Sequence, residues 1–256
     1  MTDPASGVLL REAFDERGEL ATLDARFAAL DPAAPPRATL IEDATGHAAL
    51  GTIGIMAGSF DPLTNAHLAL ARAARTVGGC DALYLALSRH TVDKETRVRP
   101  TDAERALLLR QVARREPGLG VLAFNRGLYA EQAVAARVLF PDAQKIRFVV
   151  GFDKARQIFD PRYYADRDAA LHQLFAHVTL LVAPRMDDGA DALAALLERP
   201  ENRPFRDRVR ALPLDPAWAD DSATRVRGAA KAGDTATLAA LVPPETLAFI
   251  AALRPY

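Results

Sequence analysis

A dense group of polar residues follows an apolar, strand-like run in the segment GSFDPLTNAH, from Gly58 to His67. Gly58 permits close approach of the backbone to a ligand, and Pro62 stiffens the turn. Asn65 is placed to cap the following helix, whose first turn includes His67. Because a helix N-terminus presents free amide donors, the segment predicts a phosphate-binding loop. Its spacing matches neither the GxGxxG dinucleotide pattern nor the Walker GxxxxGK[ST] pattern.

A second polar group lies far downstream, in the segment DDSATRVRGAAKAGD, from Asp220 to Asp234. Ser222 is a suitable N-cap residue, and we expect Arg225 and Arg227 in the first turn of the helix. Such a helix start offers amide and guanidinium donors to a phosphate chain. The alternative for both segments is structural: a turn that links a strand to a helix, and a capped surface helix with solvated arginines.

Between these motifs, short apolar runs alternate with longer helical patterns. The segments NAHLALARAARTV, PTDAERALLLRQVARRE and LYAEQAVAARVLF carry apolar residues at i, i+3 and i+4. This alternation predicts an α/β fold, a Rossmann-like doubly wound parallel sheet of about five strands with helices on both faces. Ligands bind at the carboxyl ends of such strands, which is where the Gly58 loop begins. The predicted strands are residues 54–58, 82–87, 120–124, 146–151 and 178–183.

Helical segments are predicted at both ends of the chain. Residues 8–30 carry leucine and phenylalanine at helical spacing, and the proline-containing segment 31–37 ends this helix or pair of helices. We expect residues 1–50 to form a partly helical N-terminal extension and residues 51–256 to form the main domain, which closes with C-terminal helices.

Composition and charge exclude several classes of function. The 256 residues include 32 basic and 33 acidic ones, so no overall field attracts nucleic acid or an anionic membrane. A single cysteine, Cys80, cannot form an internal disulfide. The start of the chain lacks a basic region, and no apolar run approaches the roughly 18 residues of a membrane span. We expect a cytoplasmic protein that binds neither nucleic acid nor membrane.

The segment GSFDPLTNAH resembles the signature of a nucleotidyltransferase family in which a G-[ST]-F-[DN]-P turn precedes [HT]-x-G-H. Nicotinamide and nicotinate mononucleotide adenylyltransferases, phosphopantetheine adenylyltransferase and small cytidylyltransferases belong to that family. Ala66 stands where the family usually has glycine, and Thr64 is a variant common in the phosphopantetheine branch. The resemblance implies that Thr64 and His67 hold phosphates of ATP and stabilise charge as it shifts to pyrophosphate. The residues of this element implied to bind ATP are Gly58, Ser59, Phe60, Thr64 and His67.

Two further segments resemble the mononucleotide adenylyltransferases most closely. SATRVR is similar to their S-[ST]-T-x-[IV]-R element, with Ala223 in place of the second hydroxyl. LVPPETLAFIAAL, at residues 241–253, resembles the segment that closes many of these enzymes. The first of these resemblances implies that Ser222, Thr224 and Arg227 bind the triphosphate and that Arg227 joins His67 and Thr64 in catalysis.

The segment VVGFDKARQIFDPRYY occupies the place of the family's G-x-D element. By resemblance, Gly151 and Asp153 approach the nucleoside of ATP, and the carboxylate accepts hydrogen bonds from ribose hydroxyls.

The residues that would hold the second substrate, the phosphate acceptor, are less clearly marked. Bacterial nicotinate members usually stack a tryptophan on the pyridine ring a few residues after G-x-D, and that tryptophan is absent here. Tyr163 and Trp218, the only tryptophan, are the alternative platforms. Several members of the family hold the acceptor with a lysine in the loop after the second strand and with residues of the following helix. By resemblance, the corresponding candidates here are Lys94 in the loop and Arg105 in the helix.

The resemblance implies an adenylyltransferase that joins ATP to nicotinamide or nicotinate mononucleotide and releases pyrophosphate. The acceptor phosphate is already ionised at neutral pH, so catalysis requires positioning and charge stabilisation rather than a protein nucleophile. Mg²⁺, bound mainly by the triphosphate, is the implied cofactor. The alternatives are transfer to another phosphate-bearing acceptor such as phosphopantetheine, and a non-catalytic nucleotide-binding relative. The N-terminal fifty residues suit an interaction or homo-oligomerisation role.

Overall fold

A seven-stranded, mostly parallel sheet runs through the part of the chain that the computed structural model describes. That part comprises residues 14–15, 17–44, 51–89, 100–183, 189–218 and 221–256. The strands of these residues are β1 (Ala38–Glu42), β2 (Thr52–Ala57), β3 (Ala82–Ser88), β4 (Leu119–Phe124), β5 (Lys145–Gly151), β6 (Thr179–Ala183) and β7 (Val209–Ala211).

The order of the strands across the sheet is β1-β4-β3-β2-β5-β6-β7. All neighbours pair in parallel except β1, which is antiparallel to β4. The predicted fold class is therefore confirmed, but the predicted number of about five strands was too low. The two missed strands lie at the edges of the sheet, where β1 is mostly half-buried and β7 has only three residues.

The helices lie on both faces of the sheet.

Within the described residues no helix combines the length and the apolar character needed to cross a bilayer. The α-helices of this part of the chain are α1 (Leu20–Ala28), α2 (Asn65–Thr76), α3 (Asp102–Ala113), α4 (Tyr129–Leu139), α5 (Phe152–Phe159), α6 (Arg167–His177), α7 (Gly189–Glu198), α8 (Ala223–Ala232), α9 (Thr235–Leu241) and α10 (Pro244–Leu253).

The alternation of side chains along each strand divides the core into two layers. In β3, Leu83, Leu85 and Leu87 belong to one layer, whereas Tyr84 and Ala86 belong to the other. The first layer is completed by α1, α2, α3 and α10, and the second by α4, α5, α6 and α7. Both faces of β3 are buried, so its sequence is a continuous apolar run rather than an alternating one.

The described part of the N-terminal segment packs on the sheet and on its helices. The strand β1 extends the sheet, and α1 contacts α3. The side chain of Asn125, at the end of β4, is fully buried and donates to the carbonyls of Asp31 at 2.9 Å and Pro35 at 3.0 Å. Its Oδ1 accepts from the backbone N–H of Arg37 at 2.8 Å. The boundary expected after residue 50 stays a prediction.

The direction in which the chain winds reverses beside β2. From β2 the chain proceeds outward through β3 and β4, and it then returns to β5 on the other side of β2. In open α/β sheets such a reversal opens a crevice at the carboxyl ends of the two central strands. The Gly58 loop follows β2, and the Gly151 turn follows β5, so the topology brings these two predicted elements to the same crevice.

We predict that Asn125→Ala lowers the free energy of unfolding by about 2–3 kcal/mol, because a fully buried side chain is truncated and the backbone groups of Asp31, Pro35 and Arg37 lose their partner together. Urea denaturation measures this change. Thr76→Ala, which removes an exposed hydroxyl bonded to its own helix, is the control and should shift stability by less than about 0.5 kcal/mol. Equal stability of Asn125→Ala and the unchanged chain would contradict this prediction.

Candidate active site

The helix after the Gly58 loop begins with a capping box. Thr64 has extended backbone, and its Oγ1 accepts from the backbone N–H of His67 at 3.4 Å. The ring of His67 in turn accepts from the backbone N–H of Thr64 at 3.1 Å. The N-cap is therefore Thr64, and the expectation that Asn65 caps this helix was wrong. Asn65 is the first helical residue, and its side-chain amide donates to the carbonyl of Ala240 at 3.0 Å.

This capping box fixes the protonation of His67. Nδ1 faces two donors of Thr64, the backbone N–H at 3.1 Å and the hydroxyl at 2.8 Å, so it acts as an acceptor. Burial lowers the pKa of His67 from 6.5 to about 4, because desolvation disfavours the imidazolium. The neutral ring then carries its proton on Nε2, which makes Nε2 a hydrogen-bond donor at neutral pH.

The ring of Phe60 packs against the buried side of the loop. It has a positive φ of 42° and is 1% exposed, and its ring meets that of His67 edge to face at 5.3 Å between centroids. The backbone of Gly58 lies against the ring of Phe60: a Cβ on Gly58 would come within 3.0 Å of this ring. The aromatic side chain thus shapes the turn, whereas the exposed side of the loop is left to backbone and polar atoms.

Arg105 holds the loop from the protein side. Its guanidinium donates to the carbonyl of Ser59 at 2.6 Å and pairs with Asp102. Its side chain is only 10% exposed, and its Nε is buried without a partner among the described residues. Arg105, nominated from sequence for the acceptor, therefore contacts the loop backbone. Lys94, the other nominee of that region, lies outside the described residues.

The distant SATRVR motif contacts the same loop. Ser222 is the N-cap of α8, as predicted, and its Oγ accepts from the backbone N–H of Arg225 at 3.3 Å. Arg227 is the fifth residue of α8 and so lies beyond the first turn in which we expected it. Its guanidinium donates to the carbonyl of Asp61 at 2.7 Å and to Oγ1 of Thr224 at 3.0 Å.

The C-terminal part of the chain adds two contacts that the sequence analysis missed. Thr246, fully buried in α10, donates to the carbonyl of Leu63 at 3.1 Å. The hydroxyl of Tyr256 donates to Oδ1 of Asp61 at 2.7 Å, and Asp61 is 2% exposed. The resemblance of residues 241–253 to the closing segment of the adenylyltransferases was the available signal, but it assigned no residue to the loop.

A cavity of about 130 Å³ opens beside Gly58 and Ser59. Of the two aromatic residues predicted to hold the acceptor, Tyr163 lines this cavity, whereas Trp218 is not among the lining residues and lies in a turn that contacts α2. Contact of either residue with an acceptor stays a prediction. Sequence reasoning missed the contribution of the loop between β4 and α4, although that loop also follows the carboxyl end of a strand. The lining residues are Ala57, Gly58, Ser59, Ser88, Gly127, Leu128, Tyr129, Gln132, Lys154, Gln157, Ile158, Tyr163 and Tyr164.

The two residues of the G-x-D element lie at the start of α5, next to the end of β2. Gly151 is the N-cap of this helix, and Asp153 is in its first turn; both are exposed. Asp153 lines an adjoining polar groove together with Asp160 and Arg162, and this groove shares Gln157 and Tyr163 with the cavity beside Gly58. Contact of these two residues with a nucleoside stays a prediction.

The sequence model of the family described as cytidylyltransferase-like matches residues 55–229, the stretch that carries GSFDPLTNAH and SATRVR. The chain belongs to this family. A curated relative from Laribacter hongkongensis (strain HLHK9), described as "Probable nicotinate-nucleotide adenylyltransferase", is 34% identical over 202 residues, which cover 71% of this chain and 85% of the relative. The resemblance to nucleotidyltransferases that the GSFDPLTNAH segment suggested is thus confirmed.

Solved structures of more distant proteins share the fold of this cytidylyltransferase-like chain. The nicotinic acid mononucleotide adenylyltransferase of Plasmodium falciparum complexed with NaAD superposes with a TM-score of 0.57 at 17% identity, covering 78% of this chain and 94% of that one. The same enzyme complexed with APC gives a TM-score of 0.54 at 16% identity, with the same coverage. At these identities the similarity establishes the fold alone.

We predict that His67 stays neutral, with its proton on Nε2, down to about pH 5. Long-range ¹H–¹⁵N NMR of the histidine rings across pH 4 to 8 measures both the pKa and the tautomer. Between pH 6.5 and about 4 the unfolded chain binds a proton that folded His67 does not, so this residue makes the fold less stable as pH falls through that window.

The signal of His67 is assigned by its disappearance in His67→Gln, and the exposed His172 serves as the internal reference. An Nδ1–H tautomer or a pKa near 6.5 for His67 would contradict the capping-box geometry.

Proposed function

We propose that this chain transfers the adenylyl group of ATP to a pyridine mononucleotide, nicotinamide or nicotinate mononucleotide, and releases pyrophosphate. The observation that carries the proposal is that the capping box of His67, the guanidinium of Arg227 and the cavity lined by Tyr163 all adjoin one loop, Gly58 to Thr64. The name of the curated relative supports a pyridine acceptor. In this proposal residues 51–256 carry the activity, and residues 1–50 are an extension.

The reaction needs an aligned nucleophile and a stabilised leaving group. An oxygen of the acceptor phosphate attacks the α-phosphorus of ATP, and the bond between that phosphorus and the bridging oxygen to the β-phosphorus breaks. Negative charge then accumulates on pyrophosphate. Since the nucleophile is already ionised, the protein contributes positioning and electrostatic stabilisation.

The residues proposed to bind ATP supply hydrogen-bond donors of three kinds. The loop and the start of α2 offer backbone amides, His67 offers Nε2–H, and Arg227 keeps further N–H groups because the contacts to Asp61 and Thr224 use only part of its five donors. Arg227 is 30% exposed, so a ligand can reach it. The residues assigned to ATP are Gly58, Ser59, Phe60, Thr64, His67, Gly151, Asp153, Ser222, Thr224 and Arg227.

Magnesium enters the proposal as part of the substrate Mg·ATP. Within the described residues no group of three or more His, Cys, Asp and Glu side chains could hold a metal ion. The triphosphate itself offers the hard oxygen ligands that Mg²⁺ prefers, and the ion neutralises charge on the departing pyrophosphate.

The cavity suits the pyridine ring of the acceptor. Its volume of about 130 Å³ is close to the roughly 150 Å³ that accepts a benzene ring in an engineered core. Tyr163 and Tyr164 supply aromatic faces, which attract a flat and, in the nicotinamide form, cationic ring. Its position beside Gly58 and Ser59 lets the acceptor phosphate extend toward the loop that would hold the α-phosphate of ATP. Of the other sequence candidates, Trp218 does not line this cavity, and Lys94 lies outside the described residues.

The deciding experiment measures pyrophosphate release from Mg·ATP with nicotinamide mononucleotide, nicotinate mononucleotide and phosphopantetheine. The proposal expects release with at least one pyridine mononucleotide. Pyrophosphate release with phosphopantetheine alone would instead support transfer to another phosphate-bearing acceptor. A chain that binds ATP but releases no pyrophosphate with any of the three acceptors would instead be a non-catalytic nucleotide-binding relative.

His67→Ala should lower kcat by about a hundredfold or more, which is the scale for losing one preorganised donor at developing charge. Steady-state pyrophosphate release measures the effect, and circular dichroism checks the fold. His172→Ala, at an exposed position remote from the loop in sequence, is the control. Unchanged kcat in His67→Ala would remove this residue from the mechanism.

Tyr163→Ala should raise KM for the mononucleotide about tenfold and leave KM for ATP little changed, because the lost ring face contributes roughly 1–2 kcal/mol to binding of the pyridine ring. Tyr163→Phe keeps the ring and should behave nearly as the unchanged chain. If Trp218→Ala has the larger effect on KM for the mononucleotide, the ring lies on Trp218 and not in this cavity.

A further inference from the structure

The N-terminal segment contacts the cavity proposed for the acceptor through the loop between β4 and α4. Gly127, Leu128 and Tyr129 of this loop line the cavity, whereas the residue before them, Arg126, is not among the lining residues. The side chain of Arg126 instead contacts residues 31–37 of the N-terminal segment. The loop therefore contributes one side to the cavity and rests with its other side on a distant part of the chain.

The guanidinium of Arg126 joins the N-terminal segment to the first turn of α4. Its Nε and Nη2 donate to the carbonyl of Ala34 at 3.1 and 3.0 Å, and Nη2 also donates to the carbonyl of Ala33 at 3.2 Å. Its Nη1 donates to the carboxylate of Glu131 at 3.1 Å, and these two side chains are 31% and 24% exposed. Because all three nitrogens of one planar group are bonded, Arg126 fixes the position of the helix start relative to the segment.

The start of α4 depends on contacts of this kind because its N-cap residue provides none. This residue is Leu128, whose side chain offers no acceptor to the amides of the first turn. On the helix side of the loop, Nε2 of Gln132 donates to the carbonyls of Arg126 and Gly127 at 3.1 and 3.4 Å. The backbone that lines the cavity is thus held between a side chain of its own helix and, through Arg126, the N-terminal segment.

We propose that Arg126 is a positioning residue for the phosphate acceptor, and that the N-terminal segment sets the affinity for this substrate by holding the cavity loop through Arg126. The inference rests on the proposed function, because it places the acceptor in the cavity that Tyr129 and Tyr163 line. A loop that is already fixed when the substrate arrives loses little conformational entropy on binding, so loss of its support weakens binding of the substrate beside it.

The ATP side of the site has supports of its own. The Gly58 loop accepts hydrogen bonds from Arg105, Arg227 and Thr246, which come from α3, α8 and α10. The inference therefore predicts an effect of Arg126 on KM for the acceptor that KM for ATP does not share, whereas a general loss of folding would change both.

The first test compares two variants of Arg126 by pyrophosphate release with nicotinamide and nicotinate mononucleotide. Arg126→Met keeps an unbranched side chain and removes every donor, so KM for the reactive mononucleotide should rise about tenfold, while KM for ATP changes by less than about twofold. Arg126→Lys keeps the charge but offers a single nitrogen, so it should recover only part of this loss. Full recovery by lysine would show that charge alone attracts the anionic substrate and would overturn the positioning role, as would an unchanged KM in Arg126→Met.

Arg137 provides a matched control at the opposite end of α4. Its guanidinium also donates to backbone carbonyls, those of Ala143 at 2.8 Å and Phe140 at 3.5 Å, and it is not among the residues that line the cavity. Arg137→Met should leave both KM values within about twofold of those of the unchanged chain. An equal rise of KM for the mononucleotide in Arg137→Met and Arg126→Met would reduce the effect to the general stability of α4 and overturn the inference.

The second test measures whether the N-terminal segment acts through Arg126. Asp31 shapes the turn that carries the carbonyls of Ala33 and Ala34, since its Oδ1 accepts from the backbone N–H of Ala33 at 2.8 Å. Asp31→Ala should raise KM for the mononucleotide about threefold in the unchanged chain and less than about 1.5-fold in Arg126→Met. Asp31→Asn keeps the acceptor oxygen and is the control for the lost charge. Effects that multiply fully in the double variant would contradict the link between the segment and Arg126.

Hydrogen exchange of the chain without substrates separates this inference from the proposed function. Arg126→Met should speed exchange of the backbone amides of residues 127–132 by at least about tenfold, because the loop opens more often without its support. Unchanged exchange there overturns the positioning role even if the chain transfers adenylyl groups. Faster exchange, combined with no pyrophosphate release from any pyridine mononucleotide, would confirm the link between segment and loop and overturn the proposed function, and with it the role of Arg126 toward this acceptor.

Discussion

The backbone of the loop between β2 and α2 is held by side chains from three different helices, and the rest of the site depends on these contacts. Each of the three donates to a backbone carbonyl, and the three carbonyls belong to alternate residues of the loop. The hydrogen bonds run from Arg105 to Ser59, from Arg227 to Asp61 and from Thr246 to Leu63, at 2.6, 2.7 and 3.1 Å. The carbonyl oxygens of Ser59, Asp61 and Leu63 thus point to protein donors and not toward an anionic ligand, which they would repel.

These contacts also explain how segments that are far apart in sequence form one site. Arg227 and Asp61 are separated by 166 positions, and Tyr256 reaches the carboxylate of Asp61 across 195 positions. Asp61 thus contacts the C-terminal part of the chain twice: its backbone carbonyl binds Arg227, and its carboxylate binds Tyr256. An arginine that binds a carbonyl with part of its guanidinium keeps the remaining N–H groups in a fixed direction, which is what preorganised stabilisation of charge requires.

The sequence predicts the centre of the fold better than its edges, for physical reasons. The five inner strands were found within two residues of their ends because parallel strands covered on both faces are uninterrupted apolar runs, as in β3. The strand β1 was missed because only Ile41 is fully buried in it, and β7 because three residues carry no periodicity. At the site, Ser222 was identified correctly as a cap, whereas Thr64 and Asn65 are both good caps and only the reciprocal bond with His67 separates them. The carbonyl contacts of Arg105 and Thr246 arise from three-dimensional packing and leave no trace in the spacing of residues.

The two outer strands of the sheet have a consequence for how copies of the chain meet one another in solution. An outer strand with free N–H and C=O groups is a template for pairing with another sheet. In this sheet one edge strand, β7, has only three residues. The other edge strand, β1, has five residues, and its register shifts between Leu40 and Glu42. A short border and an irregular one both present few aligned groups, so the sheet is poorly suited to grow by adding strands from neighbours. Among the described strands, addition of a neighbour's strand at either edge is therefore a poor route to aggregation, even though the central strands are strongly apolar.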